Sequence, residues 1–409
     1  MSDDAAPVID ENLSLELVPR MTRQGYTRQQ VDKRRAWLEA KCGVELRQVA
    51  ATTLDAESLR GNIENPIGSV QMPLGVAGPL LIHGQHAQGT FYVPLATTEG
   101  ALVRSYERGM VTLSRAGGVT TRVTRDENRV CPTFVFDGVA EADDFARELP
   151  SHFEAIRAEA ESTTRHGRLL RLEAQVIGRE VVVDFGFFTG DAHGMNMIVK
   201  AANKACAWIL QHSKARRFYV FSGFESEKKS SGHLLGGGKG KRVVAGARIK
   251  PSLLRTHLHV EPAQLADLWH RTVLGSIHAG TIGYNGHFAN GLTAMFIALG
   301  QDVANVANAA VGVNSMEVLE DGDFYASVTL PSLTVATIGG GTALGTSREC
   351  LQMLDCFGPG RAARLAEIMA ASLLAGELSI GAAIASGEFV AAHELYGRNR
   401  PGIEPRPRS

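Results

Sequence analysis

The sequence lacks an excess of charge of either sign, because 42 Lys and Arg residues face 43 Asp and Glu residues and leave a formal net charge of -1. Neither a basic surface for nucleic acid nor an acidic tail is predicted, so a small molecule is the expected partner. Only five cysteines occur, without CxxC spacing, and neither a metal site nor a disulfide framework is predicted. Residues 1–7 have no basic start and no apolar core, so we expect no signal peptide and a soluble, cytoplasmic protein.

Charged residues are almost absent from one long stretch. Between Thr272 and Met316, Asp302 is the only Asp, Glu, Lys or Arg. Its centre, 290–302, has apolar residues on every helical face, which predicts a helix buried on all sides. Polar residues interrupt it well before the roughly 18 apolar residues of a membrane span, so no membrane partner is predicted. A buried carboxylate is costly unless a cation meets it, so we expect a lysine partner for Asp302, in a functional site or in a structural ion pair.

Glu99 is a second candidate. A short apolar strand runs into a predicted helix from Ala101 to Ser114, with Thr97 and Thr98 as candidate N-caps. This places Glu99 in the first helical turn, where a glutamate ordinarily complements the helix dipole. Upstream, Glu64–Pro79 alternates apolar residues with Gly and Pro, which is typical of extended segments and tight turns that either wrap a ligand or line a core.

The stretch from Cys131 to Phe218 predicts a small α+β domain inserted into a larger one. It contains a predicted helix at Ala142–Glu161 and predicted strands at Leu169–Ile177 and Glu180–Phe188. The second strand leads through Thr189–Met197 into a helix that reaches about Gln211. This glycine-containing turn before a helix weakly indicates a phosphate site, since it lacks the GxGxxG spacing of a Rossmann turn.

Two later segments are rich in glycine. Ser222–Arg242 is polar and basic, which indicates a mobile loop whose cations could meet a carboxylate or phosphate, although a solvated linker explains the composition more simply. Predicted strands at Asp323–Leu330 and Ser332–Ile338 end in Gly339–Thr342, a turn tight enough for backbone to approach a ligand. The last long stretch, Arg361–His393, predicts a core helix, and a terminal histidine there indicates only a solvated helix end.

A set of short motifs combines these segments into one pattern. They are Glu64-Asn-Pro-Ile-Gly68, Pro73-Leu-Gly-Val-Ala-Gly-Pro79, Ala96-Thr-Thr-Glu-Gly100, Asp191-Ala-His-Gly-Met-Asn-Met197, Gly283-Tyr-Asn-Gly-His-Phe-Ala-Asn290, Gly300-Gln-Asp302, Ile338-Gly-Gly-Gly-Thr342, Ala375-Gly-Glu-Leu-Ser379 and Ala392-His393. From about Glu64 to Arg398 the chain therefore resembles the 3-hydroxy-3-methylglutaryl-CoA (HMG-CoA) reductase family, in its soluble catalytic-domain type. The motifs occur in the family's order and at near-family spacing.

The resemblance implies an α+β fold. A large domain built around a central buried helix would carry an inserted small ferredoxin-like, non-Rossmann dinucleotide-binding domain. The implied division is 1–60 for an N-terminal helical region, 61–130 and 221–398 for the large catalytic domain, 131–220 for the NADP-binding domain and 399–409 for a flexible tail. Family members form dimers or tetramers, so a homodimer or homotetramer with active sites at the subunit interface is expected.

The resemblance also implies a reaction, the NADPH-dependent reduction of an acyl-CoA thioester to a primary alcohol by two hydride transfers. With (S)-HMG-CoA the products would be mevalonate and CoA. The implied catalytic residues are Glu99, Lys228, Asp302 and His393. Lys228 would stabilise charge on the carbonyl oxygen, and protonated Glu99 would supply a proton. Asp302 would be the partner of that lysine, and His393 would protonate the departing CoA thiolate.

The same motifs imply the binding residues. NADPH would contact Asp191, His193, Gly194, Met195, Asn196, Met197, Gly339, Gly340 and Gly341, with Arg398 at its 2′-phosphate. The acyl-CoA substrate would contact Glu64, Asn65, Arg129, Ser222, Lys229 and Asn290. No metal is expected.

Two departures from the family pattern leave alternatives open. The lysine loop reads Glu227-Lys-Lys-Ser230 where the family has Asp-Lys-Lys-Pro, and the link from Ser222-Gly223 to this motif is one residue shorter than in the family, so Lys229 is the alternative to Lys228. Val130 stands where the family has a substrate-binding arginine, and Arg129 lies one position earlier. A reductase of a different acyl-thioester, on CoA or a carrier protein, is therefore the alternative function, ahead of a non-catalytic homologue that binds a dinucleotide or thioester.

Overall fold

The computed structural model describes residues 16–19 and 25–388, and the chain divides into two compact units, residues 1–71 and 72–409. The first unit contains α1 (Arg28–Cys42), α2 (Arg47–Ala50) and a 3₁₀ helix at Ala56–Leu59. Thr27 and Gln30 form a capping box at the start of α1. Buried Arg34 donates to the carbonyl oxygens of Gly25 and Pro66, at 3.3 and 2.6 Å, so this helix anchors the backbone just before it and the segment after the 3₁₀ helix.

Ten strands form one hydrogen-bonded sheet in the described part of the second unit. They are β1 (Leu74–Gly84), β2 (Gln88–Ala96), β3 (Val119–Val130), β4 (Thr133–Val135), β5 (Arg168–Ile177), β6 (Glu180–Phe188), β7 (Arg217–Tyr219), β8 (Gly240–Ile249), β9 (Val313–Val318) and β10 (Phe324–Leu333). The order is β7-β4-β6-β3-β8-β10-β9, with β2 beside β1, β1 beside β3, and β5 beside β6. Strand β3 lies in the middle of this order and connects the two halves of the sheet, because its earlier residues pair with β8 and its last three pair with β6.

The helices of this unit pack against both halves of the sheet. They are α3 (Leu102–Arg115), α4 (Val139–Glu148), α5 (Phe153–Glu161), α6 (Met195–Gln211), α7 (Pro251–Leu253), α8 (Pro262–Ala279), α9 (Phe288–Ala298), α10 (Val306–Ala309), α11 (Gly345–Met353) and α12 (Ala362–Ala385). Short 3₁₀ helices occur at Leu149–His152, Gly232–Gly236, Val303–Asn305 and Gly340–Ala343, and a π-helical turn at Leu254–Leu258.

Helix α12 is the centre of the larger hydrophobic core. It packs against α3, α8 and α9 and against strands β3, β8 and β10. Among the described residues it is the one helix long and apolar enough to cross a membrane. However, 78% of its most apolar 18-residue stretch is buried inside the protein. It is therefore a core helix, apolar on every face because protein surrounds it.

A second hydrophobic core lies among β4–β7 and α4–α6. The strand order there is β7-β4-β6-β5, and every neighbouring pair is antiparallel. The predicted strands at 169–177 and 180–188 are confirmed as β5 and β6. The single helix predicted at 142–161 is wrong, because α4 and α5 are separated by a 3₁₀ turn around Pro150, which has no N–H to continue an α-helix.

Two further boundary predictions are corrected. In place of the two strands predicted at 323–330 and 332–338 there is one strand, β10, which ends at Leu333 and in which a register shift between Leu330 and Leu333 accommodates Pro331; residues 334–338 are not part of a strand. Strand β9 was not predicted. The helix predicted over 290–302 ends at Ala298, since Gly300 adopts a left-handed conformation with φ of 62° and turns the chain away before Asp302.

Candidate active site

Lys228 and Asp302 form an ion pair. The Lys228 Nζ lies 2.7 Å from the Asp302 Oδ2, with the two side chains 44% and 40% exposed. The predicted lysine partner of Asp302 is thus confirmed, whereas its predicted burial is wrong. The carboxylate lies beyond the end of α9 and caps the 3₁₀ helix at Val303–Asn305, where its Oδ1 accepts from the Ala304 N–H at 3.2 Å.

The turn that carries Asp302 is fixed by its two preceding residues. A Cβ on Gly300 would lie 2.4 Å from the carbonyl oxygen of Gly341, so this turn packs directly on the glycine turn after β10. The buried side-chain amide of Gln301 donates to the Ala336 carbonyl at 2.9 Å and accepts from the Ala336 N–H at 2.8 Å. The Asp302 backbone is therefore anchored although its carboxylate is exposed.

The lysine loop has an unusual backbone around the same ion pair. Ser226 and Lys228 have φ of 53° and 54°, a left-handed conformation that costs a non-glycine residue on the order of 1 kcal/mol. Lys229 is exposed, and its Nζ donates to the Glu227 carbonyl at 3.3 Å. Of the two candidate lysines, Lys228 is the one that contacts Asp302.

Behind the loop lies a second, buried ion pair. Glu227 contacts Lys239, whose side chain is fully buried. The Lys239 Nζ also donates to the Arg129 carbonyl at 3.3 Å and lies 3.4 Å from the Met195 Sδ. Burial lowers the pKa of Lys239, and the Glu227 carboxylate opposes this shift. Burial likewise lowers the pKa of His193, whose Nε2 lies 3.9 Å from Glu227.

Glu99 lies before α3 and not in its first turn. Ala101, with φ of 68°, precedes the helix start at Leu102, so the predicted placement of Glu99 in the first helical turn is wrong. The Glu99 N–H donates to the Thr97 Oγ1 at 2.9 Å, and its Oε2 accepts from the Asn290 Nδ2 at 2.7 Å. A loop and helix α9 thus bring two predicted site residues together.

A cavity of about 640 Å³ opens beside this second contact. Its lining includes Glu99, Asn290, His287, Arg108 and Ile380. The walls are mostly apolar and include carboxylate, amide and guanidinium groups, which suits an amphipathic small molecule. Within residues 25–388, no hydrogen bond or ion pair joins the Glu99–Asn290 contact to the Lys228–Asp302 pair.

The predicted cofactor segments meet at the N-terminus of α12. The Asp191 carboxylate accepts from the Gly360 and Ala362 N–H groups at 2.7 and 2.9 Å. Its carbonyl oxygen accepts from the Thr337 N–H at 2.9 Å, two residues before Gly339. Gly194, with φ of 76°, precedes the start of α6 at Met195. Asp191, at the start of the 191–197 segment, therefore lies beside residues 337 and 338, which lead into the glycine turn 339–341.

The remaining predicted residues are placed as follows. Arg129 is buried, and its guanidinium donates to the carbonyls of Gly237 and Gly238 at 2.6 and 2.9 Å and lies 3.5 Å from Asp184. The Ser222 hydroxyl donates to the Cys131 carbonyl at 2.6 Å. Glu64 and Asn65 belong to the unit of residues 1–71. His393 and Arg398 lie outside the described residues.

Two functional-looking groups were missed by the sequence predictions. Lys239 and Glu227 form the buried pair behind the lysine loop. On α12, buried Glu377 accepts from the Gly286 and His287 N–H groups at 2.6 and 2.7 Å and contacts the His287 Nδ1 at 3.1 Å. Glu377 is the only Asp, Glu, Lys or Arg between Glu367 and Glu388, which is the same kind of signal that drew attention to Asp302. Among the described residues, no cluster of His, Cys, Asp and Glu suits a metal ion.

Comparison with known sequences gives one consistent result. Residues 30–398 match the family model described as hydroxymethylglutaryl-coenzyme A reductase. The chain is similar to the 3-hydroxy-3-methylglutaryl-coenzyme A reductase of Methanocaldococcus jannaschii, with 38% identity over 96% of this chain and 98% of that protein. It is also similar to the Aeropyrum pernix protein of the same name, with 43% identity over 89% of each chain.

Comparison with solved structures supports the fold. The class II 3-hydroxy-3-methylglutaryl-CoA reductase from Streptococcus pneumoniae, bound to NADPH, matches with a TM-score of 0.66 at 20% identity. The match covers 89% of this chain and 100% of that chain. The predicted mixed helix-and-sheet fold is thereby confirmed.

Proposed function

Because the chain belongs to the hydroxymethylglutaryl-coenzyme A reductase family, we propose that it reduces (S)-HMG-CoA to mevalonate and CoA with two molecules of NADPH. The observation that carries this function is the identity of 38% to 43% with reductases over most of both chains. The Lys228–Asp302 and Glu99–Asn290 contacts support it, because both join residues that the family pattern assigns to the site.

The proposed catalytic roles follow from charge and exposure. The Lys228 ammonium would stabilise the negative charge that builds on the thioester oxygen and then on the aldehyde oxygen. Asp302 would hold that ammonium in position, and Glu99 in its acid form would deliver the proton. His393 would protonate the CoA thiolate when the hemithioacetal breaks down.

The proposed cofactor, NADPH, would supply the hydride in both reductions. The residues present suit a dinucleotide. His193 has a buried Nε2 without a hydrogen-bond partner, and a Cβ on Gly339 or Gly340 would meet open space. The N-terminus of α6, which begins two residues after His193, favours a phosphate. We assign to NADPH the residues Asp191, His193, Gly194, Met195, Asn196, Met197, Gly339, Gly340 and Gly341, with Arg398 at the 2′-phosphate.

The acyl-CoA would occupy the cavity beside Glu99, where Asn290 contacts its reacting end. Ser222, Lys229, Glu64 and Asn65 complete the proposed substrate residues. Arg129 would reach a substrate carboxylate only by giving up its bonds to the 237–238 backbone. Because the Arg129 guanidinium is already bonded to backbone, a substrate without that carboxylate is favoured as the second candidate. The protein would then be a reductase of a different acyl-thioester on CoA or a carrier protein.

The finer organisation is proposed on the same grounds. Numbered within the inserted domain, the four strands β4–β7 have the order 4-1-3-2, which is that of a ferredoxin-like domain, and residues 131–220 would be the NADP-binding domain. Residues 61–130 and 221–398 would form the catalytic domain, with 1–60 as a helical region and 399–409 as a tail. We also propose a soluble, cytoplasmic homodimer or homotetramer with active sites at the subunit interface.

NADPH oxidation, followed by absorbance with HMG-CoA as substrate, tests the proposed function. The Glu99→Gln variant is the control for enzyme-dependent turnover. Oxidation that is lost in the variant is the expected result. A wild-type protein that binds NADPH but oxidises it only with another acyl-thioester would overturn the HMG-CoA assignment in favour of the second candidate.

A further inference from the structure

The buried pair Glu227–Lys239 lies directly behind the proposed catalytic lysine. Lys239 is fully buried, and Glu227 is the residue next to Lys228. Glu225, which is also buried, adds a second carboxylate near the same ammonium. A lysine is seldom buried this completely unless its charge is matched by acids. Here the matching acids, Glu225 and Glu227, closely precede the proposed catalytic lysine in the chain.

The backbone of that loop needs an external constraint. Ser226 and Lys228, on either side of Glu227, both adopt a left-handed conformation that side chains disfavour. Such strain persists only where surrounding contacts over-determine it. Lys229 does not supply the constraint, because it is exposed. The contact between Glu227 and Lys239 fastens the loop at the residue between the two strained positions.

Lys239 is itself held in place from β3. The Arg129 guanidinium bonds to the carbonyls of Gly237 and Gly238, the two residues before Lys239, and the Arg129 carbonyl accepts from its Nζ. The third neighbour of the ammonium is Met195, at the start of α6 in the proposed cofactor segment. One buried ammonium thus joins strand β3, the lysine loop and the cofactor segment.

We propose that Lys239 is a positioning residue, which holds Glu227 and thereby fixes Lys228 at Asp302 for the reduction. This inference rests on the proposed function. Lys239 touches no reacting atom and acts only through the loop. Removal of its charge should therefore misplace the Lys228 ammonium, while the cofactor remains bound.

The simpler explanation is that the pair only stabilises the fold, and the chain offers a matched control for it. Lys241, two residues further along, is also buried, with a side chain 5% exposed, and pairs with Asp126 on β3 at 2.7 Å. Its partner is not in the lysine loop. Lys241→Met therefore removes a comparable buried charge without releasing Glu227.

The decisive variant is the double substitution Glu227→Gln with Lys239→Met, compared with Lys239→Met and Lys241→Met. The double variant removes the Glu227 carboxylate together with its cation, so it should recover part of the thermal stability that Lys239→Met loses, while Glu225 keeps its bond to the Gly223 N–H. Turnover should nevertheless stay about 100-fold below wild type, as expected for a misplaced catalytic group, with KM for NADPH within about threefold. Lys241→Met should keep kcat within about threefold of wild type.

Hydrogen exchange of residues 224–231 gives a readout that does not depend on activity. The Ser226 and Lys229 N–H groups bond within the loop, to Gly223 and Ser226, and should exchange faster in the double variant but not in Lys241→Met. Recovery of wild-type turnover together with stability, or unchanged exchange in this loop, would overturn the proposal. A wild-type protein without activity on HMG-CoA, combined with the expected change in exchange, would support the positioning role and reject the proposed function.

Discussion

Two ion pairs that meet at consecutive residues have opposite surroundings. Lys228 and Asp302 are 44% and 40% exposed, whereas Lys239 is fully buried and Glu227 is 18% exposed. Water screens the first pair, so it adds little stability and its ammonium can exchange a carboxylate oxygen for a substrate oxygen. The second pair is desolvated, and loss of one partner leaves an uncompensated charge. The Lys228 ammonium, which is proposed to stabilise the substrate oxyanion, is accessible to solvent. The Lys239 ammonium, which holds the loop, is fully buried.

Each member of the exposed pair directly follows an anchored residue. Glu227 precedes Lys228 and is held by Lys239, and Gln301 precedes Asp302 and is held by the backbone of Ala336. An exposed side chain can therefore keep a defined position, because the rigidity is supplied one residue earlier in the chain. This arrangement predicts that function and stability respond to different members of the two pairs.

Lys228→Ala should have the largest effect on turnover. Loss of the group that stabilises the developing oxyanion should lower kcat by about 10³-fold, or about 4 kcal/mol, with KM for NADPH nearly unchanged. Steady-state kinetics measures both. In Lys229→Ala, kcat should be retained and KM for the acyl-CoA should rise. A loss of kcat in Lys229→Ala alone would transfer the catalytic role to that residue and break the comparison.

Glu227→Gln should have the largest effect on stability. It leaves the Lys239 ammonium buried without its carboxylate, and because Glu227 is partly exposed we expect a loss near the lower end of the range, about 3 kcal/mol of unfolding free energy. Chemical denaturation followed by circular dichroism measures this loss. A change below about 1 kcal/mol would mean that Lys239 is effectively solvated, and the two pairs would then be alike.

Glu99→Gln should lower kcat by about 100-fold, or about 2.7 kcal/mol, because the amide cannot deliver a proton. The amide oxygen can still accept from Asn290, so the contact that positions residue 99 is retained. Thermal unfolding should therefore be unchanged. If the variant is as active as wild type, the proton comes from another group and Glu99 belongs with the anchoring residues.

The sequence predicted the exposed pair better than the buried one. Asp302 was singled out because it is the lone charge in an apolar stretch, and its lysine partner follows from the cost of an unpaired carboxylate. Its exposure could not be predicted, because it depends on a turn at Gly300, where periodicity alone continues the helix. The same limit applied to Glu99, which a left-handed Ala101 keeps out of α3.

The buried pair could not be predicted because composition does not distinguish one lysine from another. The loop Ser222–Arg242 contains Lys228, Lys229, Lys239 and Lys241, and a basic, glycine-rich segment suggests that all are solvated. Two of them are buried because β8 begins at Gly240 and pairs with β3, which carries this part of the segment into the sheet. That pairing joins residues more than 100 positions apart, and no local pattern contains it.

The smallest expected effect is that of Asp302→Asn on stability. Asparagine is as good an N-cap as aspartate, so the bond to the Ala304 N–H is retained and only the ionic interaction with Lys228 is removed. Both side chains are well exposed, so the unfolding free energy should change by less than about 1 kcal/mol, and by less still in 0.5 M salt. Denaturant titration at low and high salt measures the difference. A salt-independent loss of about 3 kcal/mol would show that this pair, like Glu227–Lys239, is part of the scaffold, and the division between an accessible and an anchoring cation would fail.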